Sequence, residues 1–297
     1  MQRHRANQAS IREFGPEAAA ILRHPLLRAG IARTLAVHAP LTAELVLPVP
    51  RELQATISLL ISGSRTDRVL ILLTDRTRER AVERMRADFV ANAGHELRTP
   101  LASLMGLIET LRDAAAAADP AAQRRFLAIM AEQASRMHRL IDDLLSLSYI
   151  ELVEHQRPAD QVDLAKLIEH IAAGFEPLIL ARKAALALAV EPALPLLVGD
   201  ADQLVQLLQN LLDNALKYGG TGVHIRITAE PARAGERWPV QPSVVLAVSD
   251  NGPGIAREHL PRLTERFYRV DKARSRAAGS TGLGLAIIKH IVNRHRG

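Results

Sequence analysis

Residues 89–111, FVANAGHELRTPLASLMGLIETL, carry the pattern that sets the architecture. Leu97, Leu101, Leu104, Ile108 and Leu111 recur at 4-3-4-3 spacing, which is the apolar seam of a coiled coil or helical bundle. Asp119 and Pro120 break this helix, because the residue before a proline is pushed out of helical geometry. A second seam with the same spacing runs through Met130, Ala134, Met137, Ile141 and Leu144. Two long helices joined by one turn predict an antiparallel αα-hairpin over residues 77–157. Such a hairpin cannot bury both faces alone, so pairing into a dimeric four-helix bundle is expected.

The flanks read differently. Residues 1–76 mix a helical stretch (Glu17 to His38) with two strand-like runs, Ala43 to Val49 and Val69 to Leu73, as in a small α+β domain. After a linker over Pro158 to Val162, residues 158–297 alternate helix and strand. The helices are Leu164 to Arg182 and Asp202 to Lys217, and the strands Ala185 to Val190, Val223 to Thr228 and Val244 to Ser249, with a loop over 231–243. A final helix spans Ala286 to Val292. This order predicts a two-layer α/β sandwich. The fold class is therefore multidomain α+β.

At 297 residues the chain is long for one core. Hydrophobic residues make up 48% but aromatics only 3%, so Leu and Ala supply the apolar content and favour helix packing. Having no cysteine excludes disulfides and thiol catalysis. The net charge of +6 fits an Arg-rich surface, or attraction to polyphosphate, an acidic partner or an anionic membrane. No nucleic-acid partner is expected, since so few aromatics cannot build stacking platforms. No apolar run approaches the roughly 20 residues of a membrane span, and the N-terminus lacks a signal-peptide pattern. The chain as given reads as soluble and cytoplasmic.

His95 lies two residues before the seam position Leu97, where it can face water. A neutral imidazole with an exposed lone pair is a nucleophile for phosphoryl transfer, and an adjacent acid, Glu96, can hold the other ring nitrogen or take a proton. Pro100 crowds the Glu96 carbonyl and predicts a kink. A lone histidine of this kind is more often a solvated surface residue; its neighbours reverse that preference. Asn210 and Asn214 stand four apart with Lys217 three further on, while Leu204, Leu207, Leu208 and Leu211 take the opposite face. Amide oxygens suit a hard Mg²⁺ that also bridges ATP phosphates. Asp250 ends an apolar strand, where its carboxylate can accept from an exocyclic amine, and Gly252 and Gly254 allow close backbone approach. The run Gly279 to Leu285 enters a helix, and glycines there let backbone N–H groups hold phosphate. Between the glycine motifs lie Arg262, Arg266, Arg269, Lys272, Arg274 and Arg276, the composition of a mobile lid or of a solvated basic loop.

Taken together, these motifs resemble those of the sensor histidine kinases over about residues 77–297. His95-Glu96-Leu97-Arg98-Thr99-Pro100 is similar to the phospho-acceptor box, which implies that His95 carries phosphate while Glu96 and Thr99 serve dephosphorylation of a partner regulator. Gly94 departs from the small residue, more often Ser, found there. The helix carrying Asn210 and Asn214 resembles the N box. This implies Asn214 as Mg²⁺ ligand, with Lys217 and Tyr218 beside the phosphates and sugar. Asp250, Gly252 and Gly254 match an adenine-reading motif, and Thr281, Gly282, Leu283 and Gly284 the second glycine box. Glu265 to Arg269 resembles the F box. The domains so implied are a partial PAS-like sensor (1–76), whose entry is suggested by residues 6–15, then the dimerisation and phosphotransfer hairpin (77–157). A GHKL-type ATP domain (158–297) follows, ending short of its usual last strands. A PAS-like module feeding Glu83 to Phe89 looks like the phosphate-regulon type. The resemblance implies ATP and Mg²⁺, a homodimer, a response regulator as partner, and a place on the inner membrane's cytoplasmic face through an anchor upstream of residue 1. A catalytically inactive dimerisation fragment is the alternative. A chaperone- or topoisomerase-like ATPase fits less well, because those place a water-activating carboxylate near position 210.

Overall fold

The computed structural model describes residues 21–47, 51–60, 68–112, 119–232, 243–271 and 279–297. It divides into two compact units, Met1–Ala91 and Asn92–Gly297. The PAS-like entry at 6–15, most of the loop at 231–243, and Lys272, Arg274 and Arg276 lie outside the described residues.

In the first unit the helix expected from Glu17 to His38 is interrupted at His24. Pro25 opens helix α1 (Pro25–Val37), which ends at His38 in a left-handed cap donating to the Thr34 carbonyl. Proline suits a first helical turn because it has no N–H to satisfy, and for the same reason it cannot continue the turn before it. Strands β1 (Leu41–Val46), β2 (Glu52–Leu60) and β3 (Arg68–Asp75) form an antiparallel sheet in that order. Strand β2 was not expected. Its inward Leu53, Ala55 and Ile57 alternate with Gln54, Thr56 and Ser58, so it presents no apolar run, only a two-residue period. The core is Ile21, Leu27, Leu45, Leu47, Leu53, Ala55 and Ile57.

Helix α2 (Thr77–Arg112) starts on this sheet. Asp75 Oδ1 accepts from both the N–H and the hydroxyl of Thr77 (2.9 and 2.6 Å), and these bonds hold the Asp75 carboxyl below its usual range. The Glu52 N–H donates to Thr77 Oγ1 at 2.9 Å, and Arg80 and Arg84 pair with Glu44 and Glu52.

The second unit holds the remainder of α2 and helix α3 (Pro120–Val153), whose Asp119 N-cap accepts from the Ala121 N–H at 2.8 Å. Beyond them, β5 (Ala185–Val190) pairs parallel with β7 (His224–Pro231), which pairs antiparallel with β8 (Val244–Asp250). The expected linker ends in a two-residue strand, β4 (Gln161–Val162), paired with β6 (Leu197–Val198). Helices α4 (Leu164–Ala181) and α5 (Ala201–Tyr218) pack on the sheet, capped by Asp163 and Asp200, and α6 (Gly284–Arg294) packs against α5 and α3. Ile225, Ile227 and Ala229 of β7 are buried, as are Ile168, Leu208, Leu212, Ile287 and Ile291 of the helices. Leu147 and Ile150 of α3 are fully buried as well, so the lower half of the hairpin's second helix shares a core with the α/β layers.

Candidate functional site

A cavity of about 360 Å³ opens between the C-terminal half of α5, the end of β8 and the start of α6. Asn214 and Tyr218 line it from α5, Asp250 from β8, Gly254 from the following turn, and Gly282 and Gly284 from the glycine loop. Leu211 lines it too, which corrects its expected place on the buried stripe; that stripe continues instead through Leu212, Ala215 and Leu216. A helix turns about 100° per residue, so one step moves a side chain from core to cavity.

Asp250 is set by a tight turn. Its Oδ1 accepts from the Gly252 N–H at 2.8 Å, and Asn251 Oδ1 accepts from the His224 N–H at 2.8 Å. A Cβ on Gly252 would lie 2.7 Å from the Gly219 Cα, so the absence of a side chain lets this turn sit on the end of α5. Gly282 has φ +76°, and a Cβ there would meet the Phe267 backbone at 3.0 Å. The Phe267 N–H donates to the Gly282 carbonyl at 2.8 Å, tying the arginine-rich segment to the glycine loop. That segment begins with a short 3₁₀ helix (Arg257–Arg262). The Tyr268 hydroxyl lies 2.8 Å from His259 Nδ1, and the Arg262 guanidinium stacks 4.3 Å from the Tyr268 ring centroid.

Of the described arginines Arg262 is exposed, but Arg266 and Arg269 are not part of a solvated loop. Arg266 pairs with Glu151 of α3, and Arg269, only 5% exposed, bonds both oxygens of Glu96 at 3.3 and 2.9 Å and the Thr281 carbonyl at 2.9 Å. Arg136 of α3 adds a third bond to Glu96 at 3.3 Å. One side chain therefore belongs both to the cavity wall and to the residue beside His95. His95 itself is exposed and does not line the cavity. The Thr99 hydroxyl donates to the His95 carbonyl at 3.2 Å, and α2 runs on through Pro100.

Other residues singled out in the sequence fall beside the cavity. Lys217 pairs with Asp213, Leu283 is fully buried, and the Thr281 hydroxyl donates to Asp143 Oδ2 of α3 at 2.6 Å. Asn210 packs its amide oxygen 3.3 Å from the Cβ position of Gly284. Among the described residues, two donors next to the glycine loop, Asn210 Nδ2 and Arg269 Nε, are buried without an acceptor. Unmet donors beside a glycine-lined helix start fit an anionic phosphate chain, and the Asn214 amide oxygen on the cavity wall fits a hard cation. Among the described residues no cluster of three His, Cys, Asp or Glu side chains forms a metal site. Arg139, Arg136 and Asp143 of α3 were not foreseen; on the sequence they look like any polar face of a heptad helix.

At the other end of this contact, His290 and Asn293 of α6 engage Glu154 (3.0 and 3.1 Å), and Arg294 reaches Asp200 (2.8 Å) and the Gln156 carbonyl (3.0 Å). Burial pushes the Asp200 and Glu154 carboxyls up, but these bonds outweigh it and hold both below the usual range. At Asp143 burial prevails and its carboxyl is raised.

Comparison with known proteins agrees with this layout. Residues 85–152 match the His Kinase A (phospho-acceptor) domain, and residues 199–297 match the histidine kinase-, DNA gyrase B- and HSP90-like ATPase family. The phosphate regulon sensor protein PhoR of Pseudomonas aeruginosa is 38% identical over 85% of this chain and 54% of its own length. The sensor-like histidine kinase SenX3 of Mycolicibacterium smegmatis is 35% identical over 77% of this chain and 56% of its own. The chain thus spans about half the length of these relatives. Among solved structures, histidine kinase AdeS of Acinetobacter baumannii aligns with a TM-score of 0.51 at 26% identity, covering 67% of this chain and 86% of that one. Among the described residues no helix is long and apolar enough to cross a membrane. With a histidine-bearing helical hairpin joined to an ATPase-type α/β layer, and both halves matched in order, the chain belongs to the sensor histidine kinases.

Proposed function

We propose that this chain binds ATP·Mg²⁺ in the cavity, transfers the γ-phosphoryl group to His95, and passes it to an aspartate of a response regulator. The observation that carries this is Arg269, whose guanidinium lies in the cavity wall and on Glu96 at once. Asp250 would read adenine and Tyr218 flank the sugar. Asn214, with Asn210 one turn earlier, would hold Mg²⁺, and Lys217, Thr281, Gly282 and Gly284 would sit along the phosphates. Mg²⁺ offsets charge on the transferring group. Glu96, adjacent to His95, takes the imidazole proton as the N–P bond forms, once the two arginines release it. The same Glu96 and Thr99 would position water to dephosphorylate the regulator.

A homodimer is supported by apolar side chains left exposed on both hairpin helices, Leu101, Met105 and Ile108 on α2 and Ile141, Leu145 and Leu152 on α3. Phosphate-responsive signalling from the inner membrane's cytoplasmic face is the physiological setting we propose, in line with the PhoR relative. The test is incubation with Mg²⁺ and γ-labelled ATP beside His95→Gln. Acid-labile, base-stable label that is absent from the variant is the expected result, and label that persists in His95→Gln would refute the assignment.

A further inference from the structure

Helix α3 turns two charged side chains, Arg139 and Asp143, toward the glycine loop. The Thr281 hydroxyl donates to Asp143 Oδ2 at 2.6 Å, and a Cβ on Gly279 (φ +65°) would sit 2.9 Å from the Arg139 guanidinium. The loop is tied on its other side as well. The Leu283 N–H turns back to Thr281 Oγ1 at 3.3 Å, Arg269 donates to the Thr281 carbonyl, and the Phe267 N–H takes the Gly282 carbonyl.

A threonine hydroxyl has one hydrogen to donate. While Asp143 accepts it, no phosphate oxygen can, so the carboxylate and a bound phosphate chain compete for the same donor. Asp143 is half-buried, and burial pushes its carboxyl up against the opposing pull of Thr281, Lys217 and Arg139, with Asp142 adding to the rise.

Resting on the nucleotide reading of the cavity, we infer that Asp143 is a positioning residue that holds the glycine loop on helix α3 without nucleotide and yields the Thr281 hydroxyl to a phosphate oxygen when ATP enters. An aspartate with a purely structural role would loosen the site when removed and weaken nucleotide binding. A competing aspartate does the opposite.

The experiment is hydrogen exchange of the full chain without nucleotide, paired with binding of a fluorescent ATP analogue in Mg²⁺. In Asp143→Ala the amides of residues 281–285 should exchange about tenfold faster, and the analogue should bind roughly threefold or more tightly, as expected for loss of one charge-assisted hydrogen bond partly replaced by water. Thr281→Val should reproduce the faster exchange, and Thr281→Ser, which keeps the hydroxyl, should retain the slow exchange. Unchanged exchange in Asp143→Ala overturns the inference, as does weaker or equal analogue binding while the unaltered chain binds normally. If the unaltered chain binds no analogue, the nucleotide reading itself falls and this inference with it.

Discussion

Arg269 and Glu96 should be energetically coupled, and a double-mutant cycle measures by how much. Arg269→Met keeps the stem and removes three bonds, two to Glu96 and one to the Thr281 carbonyl; Glu96→Gln keeps the shape and removes the charge. Hydrogen bonds to charged groups are worth about 1.5–3 kcal/mol each. The pair sits at the lower end of that scale, because Glu96 is 27% exposed and keeps Arg136 at 3.3 Å when Arg269 is lost. The expected coupling is roughly 2 kcal/mol, read from urea unfolding of the two single variants and the double variant by circular dichroism. Effects that add to within about 0.5 kcal/mol would refute the reasoning and leave the contact energetically idle. The same variants bear on activity. Freeing Glu96 by Arg269→Met also removes a cation from the cavity wall, so label on His95 should fall although Glu96 is more available.

Three further outcomes are expected. Gly282→Ala forces a side chain onto a backbone at φ +76° with the Phe267 main chain 3.0 Å away, so it should cost about 1–3 kcal/mol and abolish detectable binding of the ATP analogue, both measurable by thermal shift with and without nucleotide. Asp119→Ala removes the acceptor for the Ala121 N–H and should lower stability by about 1 kcal/mol, seen as faster exchange in the first turn of α3 alone. The Asp200 carboxyl is held below its ordinary value, so it contributes stability that is complete above the ordinary carboxylate range and is lost as pH falls through the lower folded value. Asp200→Asn should accordingly flatten the acid limb of a stability–pH curve, and an unaltered limb would count against the Arg294–Asp200 link.

The hairpin was legible because a heptad repeat encodes helix and buried face together. Leu97 to Leu111 and Met130 to Leu144 announce the helices and an apolar contact face, and Asp119-Pro120 marks the break between them. In the single chain that face stays open, with Leu101, Ile108 and Ile141 exposed, while α3 buries Leu140, Leu147 and Ile150 instead. The α/β elements were legible from their alternation of helical and strand-like apolar runs, whereas the caps at Asp163 and Asp200 emerged only in the structure. Strand β2 went unread although its alternation is plain, because only one of its faces is buried and no apolar run flags it. The interruption at His24 was overlooked because the apolar pattern on either side of Pro25 is helical, and only the missing proline N–H divides it.

The candidate site divides along the same line. Sequence alone named the chemistry-bearing residues, since an exposed histidine beside an acid, paired asparagines on one helix face, an aspartate at a strand end and a glycine run at a helix start each carry a local physical reason. Which of them meet was decided only by the tertiary structure. Asn214, Tyr218, Asp250, Gly282 and Gly284 share one cavity, whereas Thr281 turns to Asp143 and Lys217 to Asp213. Arg269 on Glu96 spans 173 positions and Thr281 on Asp143 spans 138. No periodicity reaches that far, because a polar residue facing solvent and one facing another domain are the same in the pattern and differ only in what the folded chain brings against them.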